Sequence, residues 1–287
     1  MEEIKKIRIE EYPKLLKKIK DPPEILYLRG KILPNENCFA IVGTRRCSAY
    51  GKQVALEIAG DLAETGLTIV SGLAPGIDTF SHLAAVERKK RTIAVLGTGL
   101  DEKSIYPKSN LKLAQRILET GGCLISEYPP GTPGSKFTFP QRNRIISGLS
   151  LGILVVEAKE RSGALITAEW ARKQKRKVFA IPGPIHSLNS KGPHKLIKEG
   201  AKLVENANDI LKDLGLPYST SGVGYLTGGT PEESLILEAL KEGPLYIDKI
   251  IEKTKLSAAV VASTLAILEI KGKVRNLGGN NYAISHR

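Results

Sequence analysis

The chain has 287 residues, 41% of them hydrophobic, and carries 43 Lys and Arg against 30 Asp and Glu, a formal charge of +13. That length suits one large domain and one small one, each able to bury a core, and the basic balance points to a polyanionic partner. No apolar run approaches the ~18 residues of a membrane helix, and Met1 to Glu11 is too charged for a secretory signal, so a cytoplasmic protein with no membrane contact is expected.

Residues 1–37 read as a basic lead-in broken by Asp21-Pro22-Pro23, with a short amphipathic helix over Tyr12 to Ile19. From residue 38 to 214 the pattern alternates. Apolar runs of strand length lie at Phe39–Val42, Leu67–Val70, Thr92–Leu96, Cys123–Ile125, Gly152–Val156, Val178–Ile181 and Lys202–Val204. Amphipathic segments between them, such as Gly51–Glu64, Ile77–Lys89, Leu111–Glu119 and Ala164–Lys173, have helical length. Alternation of this kind with continuously apolar strands predicts an α/β fold: a Rossmann-like, doubly wound, mostly parallel sheet. Residues 215–229 are rich in Gly, Ser and Thr and read as a linker. Residues 230–287 then give three helices and a hairpin around Gly278-Gly279-Asn280, the pattern of a small winged-helix domain.

In an open parallel sheet the ligand sits beyond the carboxyl ends of the strands. The residues there are Gly43 to Arg46, Ser71 to Asp78, Gly97 to Gly99, Arg161 to Thr167 and Pro182-Gly183. Glycine lets backbone N–H groups approach an oxyanion, and a helix start adds free donors and partial positive charge. The loops are therefore expected to form a row of anion seats, with Arg45 and Arg46 closing the first. Between two strands lies Lys136-Phe137-Thr138-Phe139-Pro140-Gln141-Arg142-Asn143-Arg144. Cations neutralise phosphates and aromatic faces stack on bases, so this stretch suits single-stranded nucleic acid. Glu127 and Glu157, which follow strands, are expected to brace Arg142 or Arg144. Asp78 reads as a first-turn charge and His82 as a packed histidine.

Three scattered cysteines without CxxC spacing and four histidines without an i, i+4 pair argue against disulfides and zinc. The chain has no GxxxxGK[ST], no GxSxG and no dinucleotide fingerprint, so no cofactor is expected.

With these residues in view, the chain resembles the DNA-processing protein A (DprA, or Smf) family. The resemblance rests on AIVGTR at Ala40–Arg45, VSGLAPGID at Val70–Asp78, TIAVLGTGLD at Thr92–Asp101, Tyr106-Pro107-Lys108, FPQRNRIISGLS at Phe139–Ser150, VVEAKERSGALIT at Val155–Thr167 and VFAIPG at Val178–Gly183. It implies a protein that is not an enzyme. Such proteins bind incoming single-stranded DNA in natural transformation, protect it and load the RecA recombinase, and they work as a homodimer through the sheet domain. It places phosphate contacts at Arg45, Lys108 and Lys136, a base contact at Phe139, and backbone donors at Gly72 to Gly76 and at Ser162-Gly163. Thr44 stands where the family usually has serine. The expected DNA-binding set is Arg45, Ser71, Gly72, Gly76, Lys108, Lys136, Phe139, Arg142, Asn143, Ser162, Gly163 and Thr167. A further N-terminal SAM-like domain seen in some members is not expected in 37 lead-in residues.

Residues 230–287 hold eight Lys and Arg against seven Asp and Glu, and the third helix, Ser257–Ile270, holds neither Lys nor Arg. A helix reading duplex DNA needs polar reach, so this domain is expected to dock protein or to cover the strand. The competing function is a nucleotide-processing hydrolase on a related sheet, which Ser162–Glu169 faintly suggests, although the PGGxGTxxE motif of such enzymes is absent.

Overall fold

The computed structural model describes residues 3–218 and 230–284. They form two units, divided at Tyr218. The first unit runs β1 (Lys5–Arg8), α1 (Lys14–Lys17), β2 (Ile25–Gly30), β3 (Cys38–Val42), α2 (Ala49–Glu64), β4 (Thr68–Ser71), α3 (Ile77–Glu87), β5 (Thr92–Leu96), α4 (Leu111–Glu119), β6 (Cys123–Ser126), α5 (Thr138–Leu149), β7 (Gly152–Val155), α6 (Gly163–Lys173), β8 (Lys177–Ala180), α7 (Lys191–Lys198), β9 (Lys202–Leu203) and α8 (Ala207–Leu214).

The nine strands lie in the order β1-β2-β6-β5-β4-β3-β7-β8-β9. From β6 to β9 every neighbouring pair is parallel, while β1 and β2 are antiparallel additions, β2 pairing Tyr27 with Ser126. The inner strands are apolar throughout because helices cover both faces. Successive side chains alternate between two cores: Ala40 and Val42 pack with Ile145, Ile146 and Ala168 on one face, while Phe39 and Ile41 pack with Ile58, Leu62 and Ile77 on the other. Helix starts follow their capping residues. Ser48 accepts from Gly51 N–H (3.1 Å) above α2, and Ser162 accepts from Ala164 N–H (3.3 Å) above α6.

The lead-in differs from its reading. Residues 5–8 and 25–30 are strands of this same sheet, and Tyr12, Leu16 and Ile19 are buried in its core. The strand order reverses between β3 and β7. The chain runs outward from β3 to β6 and then returns through α5 to start again beside β3. That reversal opens a crevice at the carboxyl ends of β3 and β7.

The second unit contains α9 (Pro231–Ala239), β10 (Leu245–Tyr246), α10 (Ile247–Thr254), α11 (Ala258–Ile270), β11 (Val274–Asn276) and β12 (Asn281–Ile284). Thr230 caps α9 with Pro231 in its first turn, and the β11–β12 hairpin turns through Gly278, Gly279 and Asn280, all at positive φ. The three helices bury Ile236, Leu237, Ile250, Val261, Leu265 and Leu268 together. This is the winged-helix arrangement. From residue 219 onward the expected linker lies outside the described residues.

Candidate nucleic-acid interface

A groove of about 1400 Å³ occupies the crevice at the β3/β7 reversal. Its walls are the segments after β3, β4, β5, β6 and β7, with α5 beneath, so the residues of interest come from five separate parts of the chain. Eight Lys and Arg line it, among them Arg45, Arg46, Lys108, Lys136 and Arg161, against two carboxylates, Asp78 and Asp101. Neither carboxylate is free. Asp101 accepts from Gly131 N–H (2.7 Å) and from Ser104 N–H and Oγ–H (3.2 and 2.9 Å). Partial burial works against its ionisation, but these donors outweigh it and hold the carboxyl below the ordinary range. Asp78 is buried and accepts from Gly72 N–H (3.1 Å). Its burial raises the carboxyl above its usual value, even against the neighbouring Arg142.

Nine of the twelve expected residues line the groove: Arg45, Lys108, Lys136, Phe139, Arg142, Asn143, Ser162, Gly163 and Thr167. Ser71, Gly72 and Gly76 do not. Ser71 Oγ–H donates to the Ile41 carbonyl (2.6 Å) and Gly72 N–H is taken by Asp78. Gly76 has φ +80°, and a Cβ there would collide with the Thr44 carbonyl, which also accepts from Ile77 N–H (3.2 Å). The second loop is thus a clasp that closes the start of α3 against the first loop. The start of α2 is filled in the same manner. Glu157 accepts from Ser48 N–H (2.9 Å) and Ser48 Oγ–H (2.6 Å), and also from Asn189 Nδ2 (3.3 Å). Glu157 therefore braces α2 and neither Arg142 nor Arg144. Gly99 N–H goes to Thr132 (2.9 Å) and Gly183 N–H faces His194 Nε2 (3.4 Å). The exception is the loop before α6, where Gly163 is exposed and a Cβ would meet only open space.

The two arginines of α5 point inward. Arg142 donates through Nη1 to the carbonyls of Gly72 (2.7 Å) and Val95, and through Nε to Asn143 Oδ1 (2.9 Å). Burial draws its pKa down to about 10 against the pull of Asp78. Asn143 in turn donates to the Gly163 carbonyl (3.2 Å), so the groove floor is one chain of contacts from Asp78 to the start of α6. Arg144 makes a two-pronged pair with Glu127 (2.5 and 3.0 Å) and a third contact with Asp21 (3.1 Å). These guanidiniums hold the helix in place, and this inward packing is why eight consecutive residues, 142–149, are buried despite two charges.

The aromatic residues also sort differently. Phe139 packs against Tyr106 (ring centroids 5.8 Å apart) and beneath the Arg45 guanidinium (5.3 Å), and a Cβ at Gly97 or Gly134 would collide with its ring. Phe137 is the open ring, 72% exposed, with Lys136 Nζ 5.2 Å from its centroid. Tyr106 is half exposed at the groove wall. Residue-level reading overlooked Tyr106, Lys103 and Lys159 as groove residues. The signal for Tyr106 was its place beside Lys108 in Tyr106-Pro107-Lys108. Lys108 Nζ donates to the Glu102 and Lys103 carbonyls (2.7 Å each), which fixes its head at the rim. His82 is packed as expected, with Nδ1 2.7 Å from Thr92 Oγ1. Burial lowers its pKa to about 3, and the nearby Arg142 charge pushes the same way.

The groove can thus offer a row of cations and exposed rings to an extended polyanion. Comparison with known proteins agrees in kind. Residues 4–215 match the model of the DNA recombination-mediator protein A family, and residues 226–280 match the DprA winged helix domain. The DNA processing protein DprA of Bacillus subtilis is 47% identical over 210 residues, which is 72% of this chain and 70% of that one. The Streptococcus pneumoniae DprA is 48% identical over 203 residues, 70% of this chain and 71% of its own. Its X-ray structure superposes with a TM-score of 0.68 at 43% identity, covering 76% of both chains. A Helicobacter pylori DNA processing protein A, whose structure is described for its single-stranded DNA binding mode, gives a TM-score of 0.66 at 32% identity, covering 75% of this chain and 98% of that one. The chain belongs to the DNA recombination-mediator protein A family.

Proposed function

We propose that the chain binds single-stranded DNA along the β3/β7 groove without cutting it, and that as a homodimer it shields the strand and delivers it to the RecA recombinase. The observation that carries this reading is the groove itself: seven cations (Arg45, Arg46, Lys103, Lys108, Lys136, Lys159 and Arg161) beside Tyr106 and Phe139, with the exposed Phe137 ring next in sequence to Lys136 and with both groove carboxylates engaged by backbone donors. Phosphates meet the cations and bases meet the rings. Arg45, Lys108, Lys136, Ser162 and Gly163 are assigned to the backbone of the strand, and Phe137 and Tyr106 to its bases. Phe139, Arg142, Asn143 and Thr167 support them from beneath. Delivery to a recombinase fits the family's description as recombination mediators. The hydrolase reading is the weaker one: the groove's own carboxylates, Asp78 and Asp101, are held by backbone donors, and Glu169 of the hydrolase-like segment Ser162–Glu169 does not line the groove. The winged helix is assigned to docking of protein, because the exposed side of α11 offers Ala259, Val260, Ile267 and Ile270 and no cation.

Fluorescence anisotropy with labelled single- and double-stranded oligonucleotides at several salt concentrations tests the proposal. Seven phosphate contacts give a slope of log K against log salt of about −5 at ~0.7 per contact for single strands. Arg45→Ala/Lys136→Ala is expected to flatten it by about 1.4 and to weaken binding. Unchanged affinity in that variant would sink the assignment.

A further inference from the structure

We propose a second phosphate-binding face outside the groove, where α1 meets the end of α6, on which a strand longer than the groove continues after passing Gly163. The inference rests on reading the groove as a single-strand site.

Two basic segments far apart in sequence meet there. Lys14, Lys17, Lys18 and Lys20 lie on or just after α1, and Lys173 and Lys175 close α6, all six exposed. Arg176 joins the segments, donating through Nη2 to the Leu15 carbonyl (2.9 Å) and the Gly148 carbonyl (3.4 Å). Among the described residues twelve ion pairs form, and none includes any of these seven cations. The contrast with their neighbours is sharp. Arg172 pairs with Glu199 (2.7 Å) and Lys177 with Asp213 (2.8 Å). Four acids lie near α1, Glu10, Glu11, Asp21 and Glu24, of which Asp21 is held by Arg144, so they do not balance the seven cations. Like charges gathered in excess of their counter-charges repel one another, and a polyanion relieves that repulsion by releasing its own counterions.

The path from groove to face runs along α6. Gly163, at the groove, is tied to α5 through Asn143, and Gln174, at the far end, is tied to α5 through the Arg144 carbonyl (2.9 Å). Trp170 stands seven residues after the first and four before the second, so it lies on this same α5-facing flank. It is the chain's one tryptophan, half-buried, with Lys173 Nζ 5.2 Å from its ring centroid. An indole beside a cation makes a platform on which a base can stack. Ten helical rises separate Gly163 from Lys173, about 15 Å of travel.

The test uses dT oligonucleotides of about 6 and about 25 nucleotides, a short site and one beyond it, with anisotropy and Trp170 fluorescence read together on the full chain. The 25-mer is expected to quench Trp170 and the 6-mer to leave it unchanged. Two charge reversals, Lys173→Glu/Lys175→Glu and Lys14→Glu/Lys18→Glu, are each expected to weaken the 25-mer about tenfold or more and to leave the 6-mer as in the wild type. Their sites are exposed, and far-ultraviolet circular dichroism verifies folding. Wild-type affinity of both variants for the 25-mer overturns the second face, as does 25-mer binding without Trp170 quenching. If Arg45→Ala/Lys136→Ala also keeps both lengths bound, the groove reading fails. If it loses both, the groove reading stands and the second face alone is lost.

Discussion

Glu127→Ala is the sharpest probe of how this site is held. The Arg144 side chain is 3% exposed and receives two contacts from Glu127, at 2.5 and 3.0 Å. Truncation leaves it a 3.4 Å hydrogen bond to the Gln141 carbonyl and, as its one remaining ion pair, the 3.1 Å contact with Asp21, whose side chain is 70% exposed and therefore well screened. Removing one partner of a buried pair costs about 3–5 kcal/mol, and the remaining Asp21 contact places this case near the lower end. For a unit of this size each kcal/mol shifts the melting temperature by ~2–4 °C, so a fall of about 6–12 °C is expected. Trp170 is the chain's single tryptophan and lies in the first unit, so its fluorescence follows that unit's unfolding alone. Arg144→Met/Glu127→Leu removes both charges and is expected to lose much less than the single variant, because no buried ion is left unpaired and the released Asp21 is exposed to water. A melting temperature within about 2 °C of wild type for Glu127→Ala would refute the reasoning, the expected loss being at least three times larger. So would a double variant that fares as badly as the single one. Below its melting temperature Glu127→Ala is expected to bind single strands as the wild type does. Tighter binding would show that Arg144, once released, takes a phosphate.

Three further outcomes test separate residues. Phe137→Ala is expected to weaken single-strand binding about five- to hundredfold, from ~1–3 kcal/mol of lost stacking, with no change in melting temperature. Phe139→Ala, which empties a space between Tyr106, Arg45 and Gly134, is expected to lower both. Loss of binding by Phe139→Ala at unchanged stability would return the base contact to Phe139. His82 gives a pH effect. Its folded pKa is about 3 against an ordinary 6.5, so the unfolded chain takes up a proton that the folded one does not. Stability is full above pH 6.5 and is lost as pH falls toward 3, by about 1.4 kcal/mol per pH unit within that window. Urea denaturation between pH 7.5 and 4.5 is expected to be less pH-dependent in His82→Gln, and equal slopes in the two proteins would refute the assignment.

The inner sheet was legible because its strands are apolar on both faces and its helices carry clear stripes. Ends such as Leu111–Glu119 fall where the periodicity puts them. The two outer strands were hidden for the opposite reason. Lys5–Arg8 has one buried side chain among four and carries charge, as edge strands do, so it reads as a solvated lead-in. Arg45, Lys108 and Lys136 were legible as groove cations because a cation needs only to reach the surface, whereas Lys103 and Lys159 are singled out by no pattern around them. The glycine loops were not, since a loop that offers N–H groups to a ligand and one that offers them to its own carboxylate have the same composition. Gly72, with its N–H on Asp78, is the clearest case. Arg142 and Arg144 were ambiguous in a related way. Charge alone reads as exposure, and only the distant partners Gly72, Val95, Glu127 and Asp21 show that these guanidiniums turn inward.

The filled helix starts bear on what the groove can ignore. Glu157 above α2 and the Thr44 carbonyl before α3 occupy positions where a lone phosphate would otherwise find several donors at once. What remains is the open start of α6 at Gly163 and a spread of single cation contacts. A free nucleotide touches one or two of them, whereas a polymer touches many, and its second and later contacts form within one molecule. On the proposed function, the Glu157 carboxylate and the Thr44 carbonyl thereby act as plugs against mononucleotides at these two helix starts and favour a ligand with many phosphates.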